Sequence, residues 1–377
     1  MKVEGPIPAD VLNAIRAPFA GARATATDAP ILLPLGPLLD LAGEAMRGRL
    51  FIVQGDGEDA CLRPDFTIAI AHAHIGARGA AARLAYEGKA FRVAPRGTGR
   101  AEEFLQIGLE VFGEGRGAGA DAEVAALAWR AAAAGGRGDL SMILGDIALF
   151  GALIDAMGLA PALAARLKRA FARGGALAPE IARAQSGAPT ARQGDRVAAL
   201  LAGLPEPEAV AALEDLWGIA GIQPVGGRSA LEIAHRLVQR GEAARGPRLS
   251  PAEAGLIHDF VALDGPPGPT LDAAAALAKR GRLALDAPLD DWAQRLAAFK
   301  AAGGPDSGVR LSAGFGRRAF NYYDGFLFEI RSAALDDEAP VAAGGRYDGL
   351  LASLGGGAAG AVGCAIRPGR AWAGGAA

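Results

Sequence analysis

Several residue types are scarce in this 377-residue chain, and each scarcity removes a class of function. Only two cysteines occur, Cys61 and Cys364, far apart and outside any CxxC or Cys/His pattern. They argue against a disulfide framework or a thiolate metal site, and fit buried reduced thiols in a reducing compartment. Four histidines leave little for a metal centre. His72 and His74 are two apart, so on a helix they face different ways and cannot share an ion. His235 and His258 lie in helical sequence and read as surface or packed residues. Neither a metal nor a cofactor is expected. A surplus of one charge is missing too: 39 Lys+Arg against 41 Asp+Glu give a net charge of -2. A protein built to grip a phosphate backbone should be more basic, so no nucleic-acid partner is expected. The longest uncharged stretch, Gly349 to Ile366, is 18 residues but one-third glycine, and the start carries no apolar h-region. The expectation is a cytoplasmic protein without a membrane partner. The Gly355-Gly356-Gly357 run lacks the GK[ST] ending of a phosphate loop and reads as a turn. No repeat of 20 to 50 residues occurs.

What is present describes an ordinary globular chain, 51% hydrophobic and 21% charged. Abundant Ala and Arg with scarce Lys reflect genome composition and carry no functional signal. Helices are expected at Val11 to Phe19, Leu38 to Met46, Ile68 to Ala82 and Asp121 to Ala134. Leu50 to Val53 reads as a strand. Arg83 to Val93 and Phe104 to Phe112 read as two strands joined by a long Gly/Arg/Pro-rich loop from Ala94 to Glu103. Long loops inside compact domains are usually functional. Gly113 to Gly119 reads as a flexible surface loop. From about Gly151 to Ala302 apolar residues recur at helical spacing, as in Leu159/Leu163/Leu167 and Leu231/Ala234/His235/Val238. Strand character returns at Val309 to Leu311, Phe326 to Arg331 and Ala361 to Ile366. The expected organisation is a discontinuous core, 1–150 with 310–377, and a mostly helical insertion at 151–309.

Five segments carry the chemistry. Leu62-Arg63-Pro64-Asp65-Phe66-Thr67 precedes a helix. Tyr86 to Arg92 runs through the loop into Phe104-Leu105-Gln106-Ile107-Gly108-Leu109-Glu110. Strand periodicity puts Gln106, Gly108 and Glu110 on one face, aiming two polar side chains at one cavity. Gly316 to Ile330, containing Arg318, Tyr322 and Tyr323, reads as a strand with polar groups turned into a pocket. Ala343-Gly344-Gly345-Arg346-Tyr347-Asp348-Gly349-Leu350 reads as a tight turn lining it. Ala361 to Arg370 closes the set. Taken singly, the residues have blander readings. Tyr322 and Tyr323 fit ordinary strand aromatics, Arg92 a strand-end cation, and Asp65 a helix cap.

Together, in this order, the segments resemble histidyl-tRNA synthetase, a class II aminoacyl-tRNA synthetase. The matches cover roughly residues 20 to 150 and 310 to 370, with Pro30 as a weak motif 1 proline. The resemblance implies an α+β fold: a mixed, mainly antiparallel sheet flanked by helices, with a helical insertion. It also implies a histidine pocket. Asp65, Thr67 and Gln106 would hold the α-ammonium, Glu110 and Tyr323 the imidazole nitrogens, and Arg318 the carboxylate, with Tyr322 beside them. Asp65 stands where the synthetases have the longer Glu. On the nucleotide side the pattern departs further. Arg92 and Arg370 match motif arginines and mark a vestigial site. Ala94 replaces a glutamate that reads adenine, Arg367 aligns with a glycine, and Gly369 with a glutamate.

The chain also stops soon after Arg370, where the synthetases continue into an anticodon-binding domain, so none is expected. A persisting histidine half with an eroded ATP half resembles the regulatory subunits of ATP phosphoribosyltransferase. Gly226-Gly227-Arg228-Ser229, followed by Glu232-Ile233-Ala234, also looks like these paralogues. That resemblance implies no catalytic residues of its own, L-histidine as ligand, and a homodimer within a larger hetero-oligomer. The partner it implies is a short-form ATP phosphoribosyltransferase catalytic subunit, performing the first step of histidine biosynthesis. Two rivals stand beside it. One is a truncated synthetase-like enzyme activating histidine with ATP; the other is a scaffold with a vestigial pocket.

Overall fold

A computed structural model of the chain describes residues 2–375, except 56, 77–80, 115–116, 187–203, 205, 221–247, 317–321, 336–338 and 358. The expectations for Arg318, His235 and the Gly226–Ala234 segment lie outside the described residues. The chain separates into two compact units, Met1–Ala156 with Asp259–Ala377, and Met157–His258. The larger unit therefore resumes about fifty residues before the expected return at 310. A buried ion network ties part of this stretch, the helix Asp286–Ala301, to the larger unit. The helix Asp286–Ala301 carries Arg295, whose guanidinium donates to Asp121 on the helix Ala118–Ala133 at 3.0 Å. Arg346 donates to the same carboxylate at 2.9 Å. Trp292 donates to Asp146 Oδ2 at 2.8 Å. Charges buried together must be paired, so this helix is tied to the sheet.

Among the described residues, twelve strands form in the larger unit: β1 (Thr25–Ala26), β2 (Leu32–Pro34), β3 (Ile52–Val53), β4 (Ala60–Leu62), β5 (Ala82–Phe91), β6 (Glu103–Phe112), β7 (Leu140–Asp146), β8 (Asp264–Gly265), β9 (Val309–Ser312), β10 (Phe326–Ser332), β11 (Ala342–Arg346) and β12 (Ala361–Ile366). Nine of them build one sheet in the order β1-β5-β6-β12-β11-β10-β7-β9-β8. Only β1 with β5 and β7 with β9 run parallel; the rest of the ladder is antiparallel. The remaining three form a small sheet, β2-β4-β3. This is the mixed, mainly antiparallel class expected.

Two expectations need correction. The Ala343–Leu350 block is not a turn: its first half is β11, at the centre of the large sheet. The glycines serve close packing. A Cβ on Gly344 would stand 2.7 Å from the Phe328 ring, and one on Gly345 2.5 Å from the Phe326 carbonyl. Glycine in a strand interior marks such a close approach. Secondly, Tyr322 and Tyr323 precede β10 rather than lying on it. β7, unexpected from the sequence, pairs along the whole of β10.

The helix Ala118–Ala133 packs against β10, β11 and β12. A core of Leu33, Leu38, Phe66, Ile70, Tyr86, Phe112, Tyr347 and Leu350 joins the small sheet to the helix Thr67–Gly76. The smaller unit contains the helices Pro161–Ala172 and Leu177–Ser186, with Leu163, Leu167, Phe171 and Ile181 buried. Within it Glu180 pairs with Arg166 at 2.6 Å and Arg183 at 2.7 Å. Among the described residues, no helix is long and apolar enough to cross a membrane.

Candidate functional site

A cavity of about 140 Å³ opens on the face of β6 that carries Gln106. Alternation along β6 sends Ile107, Leu109 and Val111 to the opposite face and leaves Gln106, Gly108 and Glu110 on this one. Gly108 is required there. The Tyr86 ring, stacked on Phe66 at 4.4 Å, lies across it where any Cβ would collide. The Tyr86 hydroxyl receives a hydrogen bond from Gln106 Nε2 at 3.3 Å. That bond orients the Gln106 amide, whose Oε1 is buried without a hydrogen-bond partner among the described residues.

Asp65 reaches the same cavity from the segment ahead of the helix Thr67–Gly76. The preceding Arg63 fixes that segment. It donates to the Lys89 carbonyl at 2.8 Å and to the Ala29 carbonyl, and sits 3.9 Å over the Phe66 ring. Arg92 donates to the Pro64 carbonyl at 2.8 Å. Asp65, 2% exposed, accepts the Tyr322 hydroxyl on Oδ2 at 3.1 Å. Its other oxygen, Oδ1, has no hydrogen-bond partner among the described residues. Burial raises the Asp65 pKa to about 6, against the opposing pull of Arg92 and the Tyr322 hydrogen bond.

Glu110 stands behind this pair rather than among the residues lining the cavity. Thr67 Oγ1 donates to its Oε1 at 2.7 Å, and the Tyr347 hydroxyl donates to its Oε2. Gly363 across the sheet leaves the space that this carboxylate fills. Burial pushes the Glu110 pKa up to about 8, despite both hydrogen bonds. Tyr322 and Tyr323 line the cavity with their rings 4.7 Å apart. Tyr347 is the partner the sequence reading missed. It sits in a block already singled out, and its role is invisible without the Glu110 contact.

The other end of the cavity is cationic. Arg49, Arg92, Arg100 and Arg367 line it, with Phe104 between them. The Arg367 guanidinium lies 3.8 Å over the Phe104 ring, and that of Arg92 is 5.4 Å away. Arg370, paired with Arg92 in the sequence reading, points elsewhere. It is buried on the helix Pro368–Ala371 and lines a separate cavity beside the N-terminal segment. The fold brings Arg92 and Arg367 to the main cavity. Among the described residues no group of three His, Cys, Asp or Glu side chains could hold a metal ion.

The geometry gives acceptors at one end and guanidinium groups at the other, and comparison with known proteins supplies the family. The family model for histidyl-tRNA synthetase matches residues 28–221 and 239–370. An ATP phosphoribosyltransferase regulatory subunit from Chelativorans sp. (strain BNC1) is 36% identical over 348 residues, covering 89% of each chain. Its counterpart from Brucella anthropi is 34% identical over 356 residues, covering 92% of this chain and 91% of that one. The chain belongs to the ATP phosphoribosyltransferase regulatory subunit family. Membership assigns it a regulatory, non-catalytic role in histidine biosynthesis.

Solved structures agree on the fold of the regulatory subunit family. One is an ATP phosphoribosyltransferase regulatory subunit/histidyl-tRNA synthetase from Bacillus halodurans. It has a TM-score of 0.61 at 19% identity, covering 98% of this chain and 80% of that one. A histidine–tRNA ligase subunit from Alicyclobacillus acidocaldarius has a TM-score of 0.54 at 22% identity, covering 99% and 95%.

Proposed function

We propose that this regulatory subunit senses free L-histidine in the Asp65–Gln106 cavity and passes that signal to a short-form ATP phosphoribosyltransferase catalytic subunit. The observation that carries the reading is the pair of orphaned acceptors. Asp65 Oδ1 and Gln106 Oε1 are buried, aimed into one cavity, and lack a partner among the described residues. Unsatisfied buried polar atoms cost about 1–3 kcal/mol each, and a ligand ammonium would satisfy both. Tyr322 holds Asp65 in place beside that group, and Thr67 holds Glu110 behind it. Tyr323 would face the imidazole with Glu110 behind it, and Arg318 would face the carboxylate. The subunit would work as a homodimer within a larger hetero-oligomer. Regulation requires histidine to favour one assembly state over another.

Calorimetry with L-histidine tests this. The parent chain is expected to bind, and Asp65→Asn to bind at least tenfold more weakly, since a charge-assisted bond is worth about 1.5–3 kcal/mol. Arg318→Ala should weaken binding similarly. An Arg318→Ala variant binding as well as the parent would reject the carboxylate assignment. Co-purification with a short phosphoribosyltransferase, assayed with and without this chain, tests the partner. Histidine-dependent ATP–pyrophosphate exchange by the chain alone would overturn the reading.

A further inference from the structure

Gln106 meets the cavity through an amide, which presents either an acceptor or a donor depending on which way it is turned. What turns it lies outside the cavity lining, on β5. Tyr86 stands opposite Gly108 in the β5–β6 ladder, with Gln106 its diagonal neighbour. It is 3% exposed, and its ring is clamped on Phe66, the planes 15° apart. A Cβ on Gly108 would stand 2.2 Å from the Tyr86 hydroxyl, so only glycine lets that hydroxyl pass. Beyond it lies the Cys364 carbonyl on β12, to which the hydroxyl donates at 3.4 Å.

This carbonyl gives the chain of bonds its direction. A backbone carbonyl accepts and never donates, so the single Tyr86 hydroxyl proton is committed to it. Burial raises the Tyr86 pKa, which keeps that proton in place. The hydroxyl oxygen is then left as an acceptor, and Gln106 Nε2 donates to it at 3.3 Å. The amide is planar, so its oxygen is turned away from Tyr86. Gln106 Oε1 is buried without a hydrogen-bond partner among the described residues, as is Asp65 Oδ1. Both residues line the cavity.

We infer that Tyr86 is a positioning residue that sets ligand specificity: it passes the polarity of the Cys364 carbonyl to the Gln106 amide, and so keeps an acceptor toward the ligand. The cavity then selects an amino acid over the same acid without its amino group. The choice of ligand rests on the function proposed above; the orientation of the amide does not. Tyr86→Phe isolates the effect, because it keeps the ring on Phe66 and removes the hydroxyl alone. The released amide can turn Nε2 toward the cavity, where a ligand ammonium meets another donor.

The test uses the full chain and two readouts. The first is the nuclear Overhauser effect between the Gln106 side-chain amide protons, assigned by their loss in Gln106→Ala, and the Tyr86 ring protons. It is expected in the parent; its absence overturns the proposal, because the amide would then be turned the other way. The second is calorimetry with L-histidine and with imidazolepropionate, which keeps the ring and the carboxylate and lacks the ammonium. In Tyr86→Phe, histidine affinity should fall about tenfold and that of imidazolepropionate change by less than about twofold. A merely structural loss would weaken both ligands together. In a Gln106→Ala background, Tyr86→Phe should leave the preference for histidine unchanged, since the two residues act through one bond. An unchanged preference in Tyr86→Phe alone overturns the proposal, and so does an equal fall in the Gln106→Ala background. If the parent binds no histidine, the sensing function fails, while the Overhauser effect still decides whether Tyr86 holds the amide.

Discussion

At the scale of single residues, the two buried carboxyls decide how this protein responds to pH. Glu110 and Asp65 hold their protons more tightly folded than unfolded, because burial penalises the ionised form more than their hydrogen bonds reward it. A carboxyl with a raised folded pKa favours the folded state most below its unfolded value, near 4.5 for Glu110. That advantage is lost as pH rises through the folded value, about 8 for Glu110 and about 6 for Asp65. The ligand-free chain should therefore lose stability between roughly pH 4.5 and 8, a window that follows from the shifts. Glu110→Gln should flatten that decline and be relatively more stable at pH 8, as read from denaturant midpoints across the range. A decline as steep as the parent's would place the titrating group elsewhere. Asp65, Thr67, Gln106, Tyr322 and Tyr323 were legible as pocket residues because the motifs that carry them keep their order along the chain. Tyr347 was not, since a hydroxyl that reaches Glu110 from 237 residues away leaves no local pattern.

At the scale of elements, β5, β6, β9, β10 and β12 of the large sheet could be read, while the central β11 and β7 could not. β5, β6 and β12 show clear apolar runs at strand length, so their existence followed from periodicity. β11 reads Ala-Ala-Gly-Gly-Arg, a composition that signals a turn when only local preference is weighed. Its place between β10 and β12 is decided by close packing across the sheet, which no local pattern reports. The boundary of the insertion was misplaced for a related reason. The helix Asp286–Ala301 has the same texture as the helices before it, and the Arg295 and Trp292 contacts that join it to the larger unit leave no local pattern. Arg295→Met should therefore do more than loosen one helix. It leaves Asp121 with one guanidinium where it had two, and removes the cation 3.7 Å from buried Asp146. A loss of about 3–5 kcal/mol is expected in equilibrium unfolding, the usual consequence of breaking a buried ion pair. A loss below about 1 kcal/mol would mean that the network is dispensable and that the apolar contacts of Trp292 and Phe299 hold the helix.

At the scale of the whole molecule, the small sheet raises a question that the larger one does not. Seven large hydrophobic side chains are exposed among the described residues, and four of them, Ile31, Leu32, Ile52 and Val53, belong to β2, β3 or the residue just before β2. β2 and β3 are both edges, flanking β4. Alternation explains the arrangement: Leu33 turns inward at 7% exposure while Leu32 turns outward at 53%. Edges of this kind invite pairing, and natural proteins usually blunt them with charge or cover them. Apolar side chains grouped on one small sheet mark an interaction surface more often than scattered ones do. A second copy of the chain meeting this face would bury all four residues and complete the homodimer proposed for the regulatory subunit. Leu32→Asp with Ile52→Asp should then convert the dimer to a monomer in sedimentation velocity. Both side chains point outward, so the pattern of backbone circular dichroism should be kept. A double variant that remains dimeric would move the interface to another surface.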